Sequence, residues 1–339
     1  MKQGPLRQAL RRSSSSGARI FGILVTYRRP GALNQSLRAI QAQDSPLAAL
    51  AIVDNCPTDE SSETVARYVS TIPDLLYVRS PRNLGPAGGR AIGWRTLDYR
   101  CSSEDWVVFL DDDDPLPVAH MLGSLLRLAV SQYEKDPRTG GIGARGARLN
   151  RHTGHVVPVL TSGRSIRVDH LHGGFFPCYR AEALRRTGSF RSELFFGFEE
   201  LDLGLRLTLA GYSLYVSGQL WTEVEPHMVH SAPAAKPSWR LSKIHPRRYY
   251  SLRNLLSILL DHGFYTAALR WAFMAIAKPM LNVVLNPRLA LKHLRLNVSA
   301  IRDAFARHLG ETVVLFPDET IEDLTSGANE SRLNEERPK

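Results

Sequence analysis

The sequence predicts an α/β protein whose mostly parallel sheet carries helices on both faces. Short apolar runs alternate along the chain with segments of helical periodicity, which is the pattern of repeated strand–helix units. The runs are almost entirely apolar, as in parallel strands that are buried on both faces. Acidic residues follow directly after two of these runs. Because ligands of such sheets bind beyond the carboxyl ends of the strands, we expect the functional side chains at that edge.

The first strand is predicted at Ile20–Thr26, where the sequence IFGILVT is apolar and rich in β-branched residues. The helix that follows, at residues 33–43, places Leu33, Leu37 and Ile40 on one face. The next strands are predicted at Leu50–Asp54, residues 75–80 and residues 106–110, and the next helices at residues 63–69 and 88–97.

The second half of the α/β region gives weaker signals until a well-marked helix at residues 199–210. A strand is expected within residues 172–180, where it follows a pair of glycines. The helix is predicted to place its leucines on one face, namely Leu201, Leu205 and Leu209.

The composition changes in the last third of the chain, where residues 249–260 and 264–285 are apolar and predicted to be helical. Arg270 and Lys278 interrupt the second segment, so it falls short of a clean membrane-spanning helix. Arg270, Lys278 and Asn282 share a narrow stripe, which suits a helix lying in a membrane interface. The alternative is a helix that packs on the rest of the protein with its charges facing water.

We therefore divide the chain into four parts by composition and pattern. They are a disordered basic arm at residues 1–18, the α/β domain at 19–235, a basic amphipathic helical region at 236–310 and an acidic, disordered tail at 311–339.

The net charge of +10 is concentrated in residues 236–308, which hold thirteen Lys and Arg against two acids. Such segments attract polyanions, meaning nucleic acid, anionic lipid headgroups or phosphate-bearing substrates. The three cysteines are widely spaced, which argues against a disulfide framework or a zinc site and fits a reducing compartment. No signal peptide is visible, so we expect the active part in the cytoplasm.

Four consecutive aspartates, Asp111, Asp112, Asp113 and Asp114, follow the strand at residues 106–110. Crowded carboxylates repel one another, and burying them without counter-charge is costly. Mg²⁺ and Mn²⁺ take oxygen ligands from one or two carboxylates and from substrate phosphates. The run therefore favours a divalent metal site, and the alternative is a solvated acidic turn.

Two further patterns carry possible chemistry. Glu199 and Glu200 follow aromatic residues, and desolvation there would raise a carboxyl pKa as a general base requires. The alternative is that the two acids favour the dipole at a helix start. The glycine-rich bend at residues 83–90 opens a helix, where backbone amides could approach a phosphate or ribose and Arg90 could pair with a diphosphate.

Six motifs in this order resemble glycosyltransferase family 2. They are LVTYRRP, IVDN, NLGPAGG, FLDDDDPLP, GGFFPCYR and LFFGFEELDLGLRLTLAGY, and together they cover about residues 20–230. Within the family the chain looks most like bacterial rhamnosyl- and galactofuranosyltransferases that act on lipid-linked glycans. The resemblance implies a Rossmann-like GT-A fold and an inverting, metal-dependent transfer of a sugar from a nucleotide donor.

The resemblance also assigns roles, residue by residue. Glu200 would be the catalytic base. Donor binding would involve Thr26, Tyr27, Asp54 (to a pyrimidine base), Asn83, Gly85, Gly89, Arg90, Asp111 and Asp112. The acceptor side would be bounded by Gly173, Gly174 and Glu199. The metal, Mn²⁺ or Mg²⁺, would be held by Asp111, Asp113 and His227, although the register within the four aspartates is open.

The chain departs from the family pattern in two places. The family usually has Glu-Asp where this chain has Glu199 and Glu200, so the base stands one methylene further out. The metal-binding histidine of the family is expected where this chain has Glu223. We favour His227 as the ligand, with Glu223 and His230 as alternatives.

The expected partners are a UDP- or dTDP-sugar, a lipid-linked glycan of the cell envelope and an anionic membrane surface, with no nucleic acid. The protein would then be peripheral on the inner face of the plasma membrane. Three other readings remain open at this point: a nucleotidyltransferase, a catalytically degenerate scaffold and a basic polyanion-binding protein.

Overall fold

The computed structural model describes residues 17–159, 161, 163–227, 241 and 247–312. The strands are β1 (Ile20–Thr26), β2 (Leu50–Asp54), β3 (Leu75–Arg79), β4 (Trp106–Asp111), β5 (Thr139–Gly143), β6 (Gly146–Leu149), β7 (Val156–Val159), β8 (Ser165–Val168), β9 (His170–Leu171), β10 (Cys178–Arg180) and β11 (Ser213–Ser217).

The α-helices alternate with the strands and then close the chain. They are α1 (Pro30–Gln41), α2 (Ser62–Ala66), α3 (Gly85–Leu97), α4 (Met121–Lys135), α5 (Ala181–Thr187), α6 (Glu199–Leu209), α7 (Gly218–Val224), α8 (Arg247–Asp261), α9 (Tyr265–Leu281) and α10 (Pro287–Phe305).

The large sheet has the strand order β3-β2-β1-β4-β10-β5-β11-β8. Strands β3, β2, β1 and β4 are mutually parallel, and the chain order reverses between β1 and β4. Val25 of β1 lies opposite Asp111 of β4, so both strands end at the same level. Such a reversal opens a crevice at the carboxyl ends of the two strands, which is where α/β sheets bind ligands.

The sheet is covered on both faces, as the apolar runs predict. Successive residues of a strand point to opposite faces, so Ile20 and Leu24 join one buried cluster while Phe21 and Ile23 join another. Helices α1 and α4 contribute to the first cluster, and α3, α5 and α6 contribute to the second. The mostly parallel α/β fold expected from the sequence is therefore confirmed.

The strand expected within residues 172–180 is shorter than the pattern suggests. Only β10 (Cys178–Arg180) is extended, and it pairs antiparallel with β4 and β5. The reason is the backbone before it, where Gly174 and Phe176 have positive φ angles of 71° and 53°. Strands β7, β6 and β9 form a separate three-stranded sheet.

Helix α6 is packed on two sides. Leu203 and Leu207 join the cluster under the sheet, while Leu201 and Leu205 join a third cluster with α8, α9 and α10. The prediction that Leu209 continues this face is wrong, because Leu209 is the last residue of the helix and is 76% exposed.

The C-terminal part consists of helices that pack against the sheet domain. Helices α8 and α9 correspond to the two predicted segments, whereas α10 was not predicted. Asn254 of α8 donates hydrogen bonds to the carbonyls of Leu194 (2.8 Å), Phe196 (2.9 Å) and Gly197 (2.9 Å). Among the described residues, none of the helices is both long and apolar enough to cross a membrane.

Candidate active site

A cavity of about 370 Å³, called the catalytic cavity below, opens at the carboxyl ends of β1 and β4. The structure brings most of the predicted site residues to its walls: Thr26, Tyr27, Asn83, Gly85, Arg90, Asp111, Asp112, Asp113, Gly173, Glu199 and Glu200. Four predicted residues do not line it, namely Asp54, Gly89, Gly174 and His227.

The aspartates at the end of β4 have different surroundings. Asp112 is 1% exposed and accepts a 2.7 Å hydrogen bond from the Thr26 hydroxyl, while a guanidinium nitrogen of Arg29 lies 2.9 Å from its other oxygen. Burial raises the pKa of Asp112 to about 7. The side chains of Asp111 and Asp113 are more exposed, at 26% and 32%. They are therefore the aspartates best placed to meet a ligand in the cavity.

Arg90 joins the two groups of acids across the cavity. Its buried guanidinium donates to Asp111 at 3.0 Å and to Glu200 at 2.6 Å, and a longer bond of 3.3 Å reaches Glu199. The ring of Phe190 lies 5.3 Å from the guanidinium carbon. Arg90 thus neutralises carboxylates from two elements, α6 and β4, that are distant in sequence.

The two glutamates at the start of α6 face different surroundings. Glu199 is 4% exposed, and burial together with the neighbouring Glu200 carboxylate raises the pKa of Glu199 to about 8. Glu200 is more open and also lines a second pocket of about 240 Å³, called the histidine pocket after His170 and His172. Glu200 therefore lies between the catalytic cavity and the histidine pocket.

Glycines allow close approach around these charges. A Cβ atom on Gly173 would lie 2.6 Å from Oε1 of Glu200 and 2.9 Å from Nη2 of Arg90. Gly174, with φ of 71°, would place its Cβ 2.7 Å from Asp114. Any larger residue at Gly173 would press on the Arg90–Glu200 ion pair.

The glycine-rich bend at the start of α3 serves packing as well as the cavity. Gly85 has a φ of 64°, and its carbonyl accepts a 2.9 Å hydrogen bond from the Asn55 side chain. A Cβ on Gly89 would lie 2.5 Å from a methyl group of Val25, so this glycine lets α3 lie directly on β1.

Asp54 ends β2 as predicted, but its carboxylate is held by the chain itself. One oxygen accepts a 3.0 Å hydrogen bond from the Cys56 backbone and the other a 2.9 Å bond from the Tyr77 hydroxyl. The side chain is fully buried. A role in binding a nucleotide base thus stays a prediction and would require Asp54 to exchange these contacts.

Several residues that line the catalytic cavity are not predicted from the sequence. Arg29, Asn55, Phe195, Phe196 and Arg247 all contribute to the catalytic cavity. The sequence does carry a signal for Arg29, because it lies three residues after the first strand in LVTYRRP and ligands bind at the carboxyl ends of strands. Arg247 had none, since it lies at the start of α8, far along the chain.

The residues at the catalytic cavity fit a divalent cation only in part. Asp111 and Asp113 offer carboxylate oxygens, and Mg²⁺ or Mn²⁺ often takes one or two carboxylates together with water and substrate phosphate. His227 is exposed at the end of a short 3-10 helix, and Glu223 lies 3.6 Å from His120. His230 lies outside the described residues. Within the described part, no three potential metal-ligating side chains come together.

A cavity of this kind, at the switch point of a doubly wound sheet and beside a glycine-containing helix start, is typical of α/β enzymes that bind nucleotides. Residues 23–148 match the family model described as glycosyl transferase family 2, so the chain contains a domain of that family.

The chain is also similar to two galactofuranosyltransferases named GlfT1. The protein from Mycobacterium tuberculosis is 38% identical over 113 residues, which is 32% of this chain and 35% of the relative. The protein from Mycolicibacterium smegmatis is 34% identical over 110 residues, which is again 32% of this chain and 35% of the relative. The chain thus matches about a third of the length of these curated relatives.

Two solved structures share the fold. One is a mannosyltransferase from Pyrobaculum calidifontis, solved with GDP-Man and Mn²⁺. The match covers 98% of this chain and 89% of the mannosyltransferase chain, with a TM-score of 0.50 and 19% identity. The other is GalNAc-T7, solved with UDP, GalNAc and Mn²⁺. The match covers 87% of this chain and 58% of the GalNAc-T7 chain, with a TM-score of 0.54 and 12% identity. These likenesses confirm the GT-A fold that the motifs imply.

Proposed function

We propose that this protein is an inverting glycosyltransferase that moves a sugar from a nucleoside diphosphate to a hydroxyl group of a glycan. One observation carries the proposal: the catalytic cavity holds Asp111 and Asp113 on one side and Glu200 on the other. Arg90 links the two sides. The family 2 domain spans the β1 and β4 part of this arrangement.

The proposed reaction is a single displacement. The acceptor hydroxyl oxygen forms a bond to the anomeric carbon while the bond from that carbon to the donor phosphate breaks. Glu200 accepts the hydroxyl proton, because its carboxylate borders both the catalytic cavity and the histidine pocket. The nucleoside diphosphate leaves from the opposite face of the sugar, so the anomeric configuration inverts.

The donor proposed here is a UDP- or dTDP-sugar. Its diphosphate would lie near Asp111 and Asp113, with Thr26, Tyr27 and Asn83 on the nucleotide side of the cavity. A bound Mn²⁺ or Mg²⁺ would stabilise the negative charge that develops on the leaving diphosphate. Arg29 and Arg90 already place positive charge at this edge and would hold the carboxylates in position.

The acceptor proposed here is a lipid-linked glycan of the cell envelope, used at the cytoplasmic face of the plasma membrane. Two observations support it. Two relatives that match about a third of this chain are named galactofuranosyltransferases. The C-terminal helices are basic, and large apolar side chains are exposed on α9 and the turn after it, for example Phe273, Leu281 and Val284. The basic and apolar surface of these helices also supports a peripheral position on an anionic membrane.

The first test is calorimetric titration of UDP, dTDP and GDP into the full chain, with and without Mn²⁺. We expect one pyrimidine diphosphate to bind tightly and only with metal. Binding of GDP alone would move the donor to a guanine nucleotide. If no nucleotide binds in the presence of metal, the transferase proposal is wrong and the scaffold or polyanion-binding reading replaces it.

A further inference from the structure

A third concavity lies against the C-terminal helices, outside the catalytic cavity and the histidine pocket. It has a volume of about 1050 Å³ and is formed chiefly by α8 and α9. Its walls are mostly apolar and include Leu252, Leu255, Trp271, Phe273, Met274 and Leu281. We call this concavity the apolar groove.

The apolar groove also carries a group of cations. Arg248, Arg270 and Lys278 line it together, and in the described part of the chain none of the three has an ion pair with an acid. Burial lowers the pKa of Lys278, and the nearby charge of Arg248 lowers it further. Cations that share a partly apolar wall without acidic counter-charge favour an anionic ligand.

Helix α9 brings charged and aromatic side chains to the same groove. Arg270, Lys278 and Asn282, which form the predicted polar stripe, line it together with Trp271 and Phe273. The helix thus presents charge and apolar surface to one cavity, which is the combination that an amphiphilic ligand requires.

The apolar groove is connected to the reaction centre through shared walls. Phe198 and Ser251 line both the groove and the histidine pocket. Gly173, Gly197 and Glu200 line both the histidine pocket and the catalytic cavity. The three cavities therefore adjoin one another in a row from α9 to the carboxylate of Glu200.

The histidine pocket in the middle of this row is suited to a polar ligand. His170 is 6% exposed, and its Nδ1 atom has no hydrogen-bond partner among the described residues. Burial lowers the pKa of His170 to about 3 and also lowers that of His172. Both rings are therefore neutral near pH 7 and can exchange hydrogen bonds with sugar hydroxyls.

We propose that the apolar groove binds the hydrocarbon chain of the acceptor, with Arg248, Arg270 and Lys278 around its phosphate and the sugar in the histidine pocket beside Glu200. This inference rests on the proposed transferase function and gives it an acceptor site. The groove selects one occupant by chemistry, because a free glycan would leave the apolar wall empty and a neutral lipid would leave the cations without counter-charge.

Calorimetric binding of farnesyl diphosphate to the full chain tests the groove directly. Met280→Glu changes a residue that lines the groove, and Val284→Glu makes the same change at an apolar residue that does not. Both positions are exposed, at 61% and 89%, so folding should tolerate both. Lys278→Gln is matched in the same way by Arg288→Gln, which is exposed and outside the groove.

We expect Met280→Glu and Lys278→Gln to weaken farnesyl diphosphate binding about tenfold or more, and the two matched variants to change it less than about twofold. Inorganic diphosphate lacks the hydrocarbon chain, and farnesol lacks the diphosphate. Each should therefore bind more weakly than farnesyl diphosphate. The proposal is overturned if the probe does not bind, if all four variants bind alike, or if inorganic diphosphate binds as tightly. It is also overturned if binding is lost in Asp113→Asn but kept in Met280→Glu, since the probe would then occupy the catalytic cavity.

Nucleotide titration of the same four variants separates this inference from the function on which it rests. Nucleotide binding should be unchanged in all of them, because none of these residues lines the catalytic cavity. Failure of the wild-type protein to bind any nucleotide would overturn the transferase function, whatever the probe does. If nucleotides bind normally but all four variants bind farnesyl diphosphate alike, only the proposed acceptor site is wrong.

Discussion

At the scale of single residues, the catalytic cavity depends on one guanidinium shared among several acids. Arg90 contacts Asp111, Glu199 and Glu200, and it is 4% exposed. Buried carboxylates that lose their counter-charge are strongly destabilised. Arg90 therefore allows three acids to lie together before any donor binds, and it holds Glu200 in a defined position.

Replacing Glu200 with Gln tests its role as the base. The amide keeps the shape and can still accept a hydrogen bond from Arg90, but it cannot take up the hydroxyl proton. We expect transfer to fall by about 10²- to 10⁴-fold while nucleotide affinity stays nearly unchanged. Turnover and calorimetry measure the two effects, and Glu134→Gln, at an exposed position on α4, is the control. Full activity in Glu200→Gln would exclude this residue as the base.

Gly173→Ala tests the geometry of the ion pair instead of its chemistry. The added Cβ would lie 2.6 Å from Glu200 and 2.9 Å from Arg90, so the pair must shift. We expect a drop in turnover of about 10- to 100-fold with the fold retained, because small displacements of a reacting group cost that much. Gly31→Ala is the control, since its Cβ meets nothing within 4 Å. Equal activities of the two variants would contradict this view of Gly173.

His170 predicts a specific loss of stability in acid. The folded protein holds it neutral with a pKa lowered from 6.5 to about 3, whereas the unfolded chain binds a proton below about pH 6.5. Folding therefore costs free energy in acid, because the unfolded chain gains a proton at His170 that the folded protein does not bind. This cost is nearly absent above pH 6.5 and grows as the pH falls toward 3. Between pH 7.5 and pH 5 this residue should reduce the free energy of unfolding by roughly 2 kcal/mol. Urea unfolding at both pH values measures it, and a His170→Leu variant with undiminished acid sensitivity would refute the assignment.

At the scale of elements, the loop before α6 depends on α8. Phe195, Gly197 and Phe198 all have positive φ angles, which are unfavourable for the two phenylalanines. Asn254 of α8 binds three carbonyls of this loop. The C-terminal helices therefore hold a loop whose residues line the catalytic cavity, although they lie outside the family 2 match.

Asn254→Leu should weaken both the fold and the site. Carbonyls left without a donor destabilise the protein by about 1–3 kcal/mol, and the relaxed loop should weaken nucleotide binding. Asn297→Leu is a matched control, because Asn297 is equally buried but bonds to the Ala275 carbonyl in α9. Thermal unfolding should show both variants destabilised, whereas calorimetry should show a nucleotide defect only in Asn254→Leu. A nucleotide defect of equal size in both would mean that the loop is not specifically controlled by Asn254.

At the scale of the whole molecule, positive charge and exposed apolar side chains occur together in the C-terminal helices. The large exposed apolar residues of α9 and the turn after it are Tyr265, Leu269, Phe273, Met274, Met280, Leu281, Val283, Val284 and Leu285. Apolar surface of this kind beside basic residues suits attachment to an anionic membrane surface.

Vesicle sedimentation tests this attachment. We expect the protein to bind vesicles with anionic lipid more strongly than neutral ones, and raising the salt from about 0.05 M to about 0.5 M should weaken binding. Reversing two charges on α10, Arg288→Glu with Arg295→Glu, should lower the affinity at least about tenfold, at roughly 1 kcal/mol for each basic residue. Arg164→Glu with Arg186→Glu makes the same change in net charge on the sheet domain. If both pairs weaken binding equally, only net charge matters and the helices form no membrane surface.

The amino-acid sequence alone predicts the sheet and the edge at which the catalytic cavity lies. The apolar runs identified β1 and β2 to the residue, because strands buried on both faces must be apolar throughout. Acids after strands predicted the edge at which the catalytic cavity lies, since parallel strands end at the same side of a sheet. Local pattern was enough for these features, because each depends on neighbours within one element.

Which side chains meet in the cavity depends on how the elements pack together. Arg90 lies between Asp111 and Glu200 because α3, β4 and α6 converge, and no spacing in the sequence records that convergence. The structure also shows Asp54 held by Tyr77, and it shows that the apolar groove shares Phe198 and Ser251 with the histidine pocket. Contacts between elements distant in sequence follow from packing, and a pattern within a single element contains no information about its packing neighbours.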